Sequence, residues 1–98
     1  MIPELESVED KYRRLVQALA DPSVLSDPKK FRDLSKERAD IEPLVKKIEE
    51  LKRVRADIAG SREILSDPRT DPDLNVLAEA ELRRLEEAEA VLDHDIRI

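Results

Sequence analysis

The sequence predicts an all-α fold of three antiparallel helices, arranged as elongated helical hairpins around a long, kinked central helix. Apolar residues recur in a heptad pattern through the middle of the chain, and Asp-Pro steps bracket two short connectors. The 98 residues are 43% charged and include one glycine, a composition that favours helices over sheets. We expect a single domain over residues 1–98, with helices at about 3–20, 28–65 and 72–98.

The first helix is predicted over residues 3–20. Pro3 suits its first turn, because the N–H that proline lacks has no partner there. Pro22 disfavours helical geometry at the preceding residue, so we expect the helix to stop near Ala20. Its apolar face is formed by residues three and four apart, namely Leu5, Val8, Tyr12, Leu15 and Leu19.

The first connector, residues 21–27, is short enough to make the first two helices antiparallel neighbours. Asp27 is predicted to cap the long helix, with Pro28 at the first helical position. Val24 and Leu25 are expected to pack over the junction between the helices.

The long helix is predicted over residues 28–65. Pro43 removes one backbone hydrogen bond, so we expect a kink near residues 39–42. Apolar residues beyond Gly60 favour continuation of the helix through the glycine. Two columns of apolar residues seven apart form one stripe, Leu34, Ile41 and Ile48 in the first and Leu44, Leu51, Ile58 and Leu65 in the second.

The second connector, residues 66–71, repeats the Asp-Pro chemistry, and Asp71 is predicted to cap the third helix. That helix is acidic, with eight carboxylates against three arginines, whereas residues 28–65 carry eleven basic and eight acidic residues. Opposite net charges suit antiparallel packing of these two helices. The predicted core face consists of Leu74, Ala78, Leu85, Leu92 and Ile96, flanked by Leu77, Leu82 and Ala88.

One ion pair is predicted between the long helix and the third helix. Arg55 continues an apolar column of the long helix, and Glu81 falls among the core-facing positions of the third. A hairpin that closes at residues 66–71 places the two side chains roughly opposite each other. We predict a buried or half-buried pair that fixes the register of the hairpin.

No residue is predicted to serve in catalysis or to bind a cofactor or metal, and the chain is not expected to be an enzyme. The absence of cysteine excludes disulfides and thiolate metal sites. His94 lies between Asp93 and Asp95, but adjacent helical side chains point ~100° apart and do not converge on a metal. Gly60 is the only glycine, so a glycine-rich phosphate loop is excluded.

The net charge of −6 argues against nucleic-acid binding by the domain as a whole. Two basic clusters leave a contact with a ribonucleoprotein open, although a salt-bridged outer face is the more common meaning of such clusters. No apolar run approaches ~18 residues and no signal-peptide pattern is present, so we expect a soluble cytoplasmic protein. The clusters are Lys29, Lys30 and Arg32, and Lys46, Lys47, Lys52 and Arg53.

Several segments of the first half carry a family resemblance: Asp21-Pro22-Ser23-Val24-Leu25-Ser26-Asp27, Phe31, Leu34-Ser35-Lys36-Glu37 and Ile41-Glu42-Pro43-Leu44-Val45. They resemble the N-terminal domain of the bacterial peptide chain release factor 1 family, the class-one factors for the UAA and UAG stop codons. The resemblance covers essentially the whole chain and is specific through residues 21–45. The remainder is generic acidic helix.

The resemblance implies a role in translation termination, with the ribosome as partner near the large-subunit stalk base and the GTPase release factor as a second partner. In the family, codon reading and peptidyl-tRNA hydrolysis lie in later domains, and hydrolysis uses a Gly-Gly-Gln loop. This chain has no adjacent glycines, so no catalytic residue is carried over. The closing Asp-Ile-Arg-Ile is similar to the run into the family's next linker, so we expect a fragment of a longer chain. The resemblance implies neither a membrane nor a small-molecule substrate.

The alternative from the residues alone is a free-standing helical coiled-coil adaptor or dimerisation module that pairs through its apolar stripe. A reading frame that continues past Ile98 into a Gly-Gly-Gln-containing domain favours the release-factor interpretation, and a stop codon there favours the adaptor. An enzyme that uses surface carboxylates has almost no support, because catalytic pairs need a concave, partly desolvated site.

Overall fold

A computed structural model of the chain describes residues 3–97, with the backbone alone at residue 3. The described residues form helices and no strand, which confirms the all-α prediction. Two compact units divide the chain, Met1–Lys46 and Lys47–Ile98, and the expectation of a single domain stays a prediction. Ile98, the expected last residue of the third helix, lies outside the described residues. The helices are α1 (Pro3–Leu19), α2 (Pro22–Leu25), α3 (Pro28–Ser66) and α4 (Pro72–Arg97).

The first connector contains a short helix that the sequence pattern did not predict. α2 is a single turn, Pro22–Leu25, and the Asp21 carboxylate accepts a hydrogen bond from the Ser23 backbone N–H at 2.8 Å. The Asp21-Pro22 step was expected only to end α1. The same step also opens a helix, because the aspartate caps it and proline is tolerated in its first turn.

The long helix α3 runs for 39 residues, Pro28–Ser66, and includes both Pro43 and Gly60. The predicted continuation through Gly60 is therefore confirmed. A Cβ atom added at Gly60 meets nothing within 4 Å, so close packing does not require a glycine there. The kink expected near Pro43 stays a prediction.

The first unit has a small core. Among the described residues up to Lys46, the buried apolar side chains are Leu15, Val24 and Val45. Tyr12 is half-buried and contacts Arg38 of α3: the Arg38 Nε donates to the Tyr12 hydroxyl at 3.3 Å, and the guanidinium carbon lies 5.7 Å from the ring centroid. The expected packing of Leu25 over the junction is wrong, because its side chain is 57% exposed. In a one-turn helix, Val24 and its neighbour point in different directions, and only Val24 turns inward.

The second unit contains a larger core between α3 and α4. Ile48 and Leu51 are its least exposed large side chains, at 0% and 2%. The assignment of Leu74 to the core is wrong, because it is 46% exposed in the first turn of α4, where the connector leaves few neighbours to pack against it. The main buried cluster consists of Leu51, Val54, Ile58, Leu85 and Leu92, with Leu82, Ala88 and Ile96 packed on it.

None of the described helices is both long enough and apolar enough to cross a membrane.

Candidate functional site

The connectors are held by aspartates that bind backbone N–H groups. The Asp27 carboxylate accepts from the Lys30 N–H at 3.2 Å, and the Asp71 carboxylate accepts from the Asp73 N–H at 2.8 Å. Both predicted caps are thus confirmed. Each cap satisfies an N–H that has no partner within the helix. These hydrogen bonds therefore order the connectors and hold their outer side chains in defined positions.

Two further aspartates in or beside the connectors have lowered pKa values. Hydrogen bonds from the Ser23 backbone N–H and then from its hydroxyl lower the pKa of Asp21 below its usual value, with a further contribution from the charge of Lys30 and an opposing effect of burial. The Arg69 guanidinium, followed by the Arg69 backbone N–H, lowers the pKa of Asp67. Both groups are carboxylates at neutral pH. Arg69, the cation of the second connector, is thereby neutralised within that connector.

The register of α3 against α4 differs from the prediction. The Arg55 Nε donates to the Glu89 carboxylate at 3.0 Å, and its Nη2 lies 4.0 Å from Asp93. Glu81 instead binds Arg84 on its own helix, at 2.6 Å. The predicted Arg55–Glu81 pair is therefore wrong. The predicted pairing took the connector as the midpoint of the hairpin. It did not include the residues needed to close the turn or the length of the arginine side chain.

Two more ion pairs join α3 and α4 in the second unit, and their exposure is similar. Lys47 lies 3.8 Å from Asp95, and Arg62 lies 3.8 Å from Glu86. The Arg55 side chain is 41% exposed, so these pairs are partly solvated and do not form a buried network. They fix the pairing of two oppositely charged helices and add little stability each.

A shallow groove of about 260 Å³ lies beside the Arg55 pairs. Its cations are already bound by its carboxylates, since Arg97 lies 3.1 Å from Asp93 in addition to the Arg55–Glu89 pair. A groove whose charges satisfy one another offers no free group to activate a substrate. It is lined by Arg55, Glu86, Glu89, Ala90, Asp93 and Arg97.

The two predicted basic clusters differ in their environments. In the second cluster, Lys46 lies 3.7 Å from Glu42, and Lys47 pairs with Asp95. In the first cluster, Lys29, Lys30 and Arg32 are all exposed at the start of α3. Among the described residues, none of these three lies within 4.0 Å of a carboxylate. The charge of Lys30 still acts on a carboxylate, because it contributes to the lowered pKa of Asp21.

Exposed apolar side chains beside the connectors were not found by periodicity. Phe31 is 40% exposed next to the first connector, and Leu77 is 66% exposed near the second. Phe31 does not belong to either heptad column of the long helix. This departure from the heptad pattern was the one sequence feature that indicated its exposure. Leu77 was placed at the edge of the core face, where sequence alone does not decide burial.

Metal binding finds no support in residues 3–97. These residues contain no group of three or more histidine, cysteine, aspartate or glutamate side chains that could hold a metal ion. His94 lies in the last turn of α4.

Comparisons with known proteins identify the family to which the chain belongs. The PCRF domain family matches residues 8–98. The peptide chain release factor 1 of Geotalea uraniireducens is 40% identical over all 98 residues, which span 26% of that relative. Those of Geobacillus kaustophilus and Clostridioides difficile are 39% and 41% identical over the whole chain, which spans 27% of each.

The chain thus spans about a quarter of the length of the curated relatives that it matches. No solved structure gives a significant match. The agreement over the whole chain confirms the resemblance to the release factor family.

Proposed function

Because this chain belongs to the PCRF domain family, we propose that it acts in translation termination, as the N-terminal helical domain of a peptide chain release factor. The observation that supports the proposal is the match over residues 8–98, together with relatives named peptide chain release factor 1 at about 40% identity. The stop codons are UAA and UAG, as the resemblance implies. The place of action is the cytoplasm, where bacterial ribosomes work.

The chain's contribution is to dock and orient the factor on the ribosome near the large-subunit stalk base. The apolar sides of α3 and α4 are occupied by their mutual packing, which leaves outer faces and connectors for contacts. Loops held by a rigid scaffold are where binding residues concentrate. The Asp27 and Asp71 caps give the two connectors that rigidity.

The chemistry of peptide release belongs to other parts of the factor. The groove beside Arg55 contains arginines already paired with carboxylates, and the sequence has no adjacent glycines. The domain therefore supplies affinity and orientation and does not activate water. The GTPase release factor is its second partner.

A chimera tests the docking role. The region of the Geotalea uraniireducens release factor that matches this chain is replaced by the chain, and a second variant lacks the region altogether. We expect the chimera to restore ribosome association and the response to the GTPase factor, both weakened by the deletion. A deletion variant with unchanged behaviour in both measurements would refute the docking role.

The isolated chain tests the catalytic half of the proposal. Programmed ribosomes that carry peptidyl-tRNA are mixed with the 98-residue chain, with the full-length relative as the positive control. We expect no peptide release by the chain at any concentration. Stop-codon-dependent release by the chain alone would show that the domain has a catalytic role.

A further inference from the structure

Exposed apolar side chains form a strip near the start of α4. Leu74 is 46% exposed, Val76 is 64% exposed and Leu77 is 66% exposed. Leu77 follows Leu74 by three residues, and the exposed Ala80 follows Leu77 by three residues and Val76 by four. Helical residues three and four apart are neighbours on the helix surface, so these four side chains form one continuous α4 strip.

The α4 strip lies mostly outside the contact between α4 and α3. The buried residues of α4 are Ala78, Leu85 and Leu92. Val76 and Ala80 are each two residues from Ala78, a spacing that places them on nearly the opposite side of the helix. The packing of α4 on α3 therefore leaves most of the strip exposed. Adjoining large apolar side chains on a surface mark sites of contact with a protein or a membrane.

The strip lies in the most acidic part of the chain. Residues 63–81, from the last turn of α3 into the third turn of α4, carry six carboxylates and one arginine, a net charge of −5. The matching residues around the first connector, 16–37, carry four acidic and four basic residues. The net charge of the whole chain is −6. The negative charge is therefore concentrated around the second connector.

Carboxylates border the strip directly. Asp73 precedes Val76 and Leu77 by three and four residues, and Glu79 follows Val76 by three, so both carboxylates lie beside the apolar side chains. Asp71, Asp73 and Glu79 do not come within 4.0 Å of a lysine, arginine or histidine nitrogen among the described residues. These three charges are therefore available to an external cation.

Neighbouring cations do not cancel this charge. Arg69 is bound by Asp67 at 3.1 Å, and Arg84 is bound by Glu81 at 2.6 Å. Arg83 is exposed beyond the strip and supplies one charge against the three carboxylates. The strip therefore combines an apolar centre with a border of net negative charge.

This combination selects the chemistry of the partner. Carboxylates repel nucleic acid and anionic membranes, so neither accounts for the exposed leucines. A second copy that presents the same strip would bring like charges together, which is unfavourable. A metal ion would use the carboxylates but not the leucines, and residues 3–97 contain no group of three or more potential metal ligands. A protein helix with an apolar side flanked by lysines or arginines matches both features.

We infer that the α4 strip binds a basic amphipathic helix of a partner protein. The apolar side of that helix packs on Leu74 and Leu77, and its cations meet Asp73 and Glu79. In contacts between two helices, apolar side chains at the centre supply affinity and flanking charges select the partner and its orientation. The strip is ~9 Å long at the usual helical rise, so the contact is small and transient. The inference rests on the proposed docking function for the source of the helix, a protein at the docking place of the factor, but not for the contact itself.

The test is an NMR titration of the isotope-labelled 98-residue chain with a synthetic peptide of about 18 residues, long enough to form a helix. The peptide has leucines three and four apart with lysines on both flanks. Amide shifts are expected in residues 71–81 and not in residues 28–38. Two control peptides, with glutamate in place of lysine or serine in place of leucine, should each bind about tenfold more weakly. Shifts centred elsewhere, no shifts, or equal binding of either control peptide would overturn the inference.

Matched variants separate the strip from exposed apolar surface in general. Leu74→Gln combined with Leu77→Gln should weaken binding of the lysine peptide about tenfold, because it removes the apolar side chains that the helix buries. The control combines Leu25→Gln with Val91→Gln, whose side chains are 57% and 60% exposed elsewhere, and should retain the parent affinity. Equal loss in the two double variants would overturn the inference. Far-UV circular dichroism verifies that each variant is folded.

A second pair of variants tests the charge of the border. Asp73→Asn combined with Glu79→Gln should weaken binding about fivefold and reduce its salt dependence, since salt screens attraction between exposed charges. The control Glu50→Gln with Asp57→Asn removes the same charge from exposed positions of α3 and should change neither quantity. Equal effects of the two pairs, or a parent affinity that does not fall as salt rises, would overturn the inference.

Other occupants of the strip are distinguished by two measurements. The chain alone should sediment as a monomer. Self-association that the double leucine variant abolishes would identify a second copy as the occupant and overturn the inference. Binding of the lysine peptide by the chain but not by the Geotalea uraniireducens chimera would show that the rest of the factor covers the strip, and would also overturn it.

Ribosome co-sedimentation distinguishes this inference from the function on which it rests. If the chimera and its double leucine variant bind ribosomes equally well, the inference about the strip is wrong and the docking role stands. If the chain and the chimera bind the lysine peptide through the strip but the chimera does not associate with ribosomes, the strip is right and the docking role is wrong.

Discussion

The two units of the chain use the same local design but bury different amounts of apolar surface. Each contains a helix in contact with α3 and a connector held by aspartate–backbone hydrogen bonds. In the first, the described buried apolar residues are Leu15, Val24 and Val45. In the second, they are Ile48, Leu51, Val54, Ile58, Ala78, Leu85 and Leu92.

The difference in buried apolar surface between the two units comes from helix length and not from the connectors. α1 has 17 residues and α4 has 26, so α4 brings more turns of its apolar face against α3. Described contacts between helices follow the same trend: Lys11–Glu37 and Tyr12–Arg38 lie in the first unit, whereas several ion pairs join α3 to α4. Hydrophobic stabilisation scales with buried apolar area, so the second unit should be the more stable.

The largest expected effect is the loss of a core side chain in the second unit. Leu51→Ala should lower the free energy of unfolding by ~2–5 kcal/mol, because it removes a side chain only 2% exposed and leaves a cavity. Leu15→Ala should cost less, because fewer buried neighbours surround it. Denaturant unfolding measures both. The exposed Leu25→Ala is the control, expected within ~0.5 kcal/mol of the parent. A greater loss from Leu15→Ala than from Leu51→Ala would reverse the comparison.

The next effect concerns the helix caps. Asp71→Ala and Asp27→Ala should each cost ~0.5–2 kcal/mol, because each leaves a backbone N–H without its partner. Asp71 should cost more, since its hydrogen bond is 2.8 Å long against 3.2 Å for Asp27. Thermal and denaturant unfolding of the two variants give the values, with Asp→Asn substitutions as controls that keep a capping oxygen. Unchanged midpoints for both alanine variants would contradict the capping roles.

A smaller effect tests the register of α4. A double-mutant cycle on Arg55 and Glu89 should give a coupling energy of ~0.2–1 kcal/mol, the range for partly exposed pairs. Their side chains are 41% and 34% exposed, so solvent screens much of the attraction. The cycle on Arg55 and Glu81 serves as the control and should give no coupling. Stronger coupling of Arg55 to Glu81 than to Glu89 would restore the register predicted from the sequence.

The smallest effect is the acid sensitivity of the connectors. Folding lowers the pKa of Asp21 and Asp67, so the stability that these carboxylates contribute is fully present above their unfolded pKa and is lost as the pH falls through the lower folded pKa. The window lies below the ordinary value of 3.8. Asp21→Asn and Asp67→Asn should each flatten the stability profile there, measured by thermal unfolding against pH. A variant profile as steep as the parent's would contradict the assignment.

The sequence by itself determined the fold class, the caps at Asp27 and Asp71, and the continuation of α3 through Gly60. These features depend on local physics: helical periodicity, the geometry of proline in a first turn, and the ability of an aspartate to bind nearby N–H groups. The resemblance in residues 21–45 likewise identified the family, and these residues include the first connector and part of α3.

Only the tertiary structure decided the register of α4 and the environments of the charges. Arg55 meets Glu89, not Glu81, because the connector and the length of the arginine side chain set the offset between the helices. Leu74 is exposed although it lies on the apolar face of α4, since burial depends on which side chains of a neighbouring helix pack against it. The basic clusters look alike in sequence, yet Lys46 and Lys47 have carboxylates within reach and Lys29 does not. Pairing depends on distances between helices, which sequence periodicity does not determine.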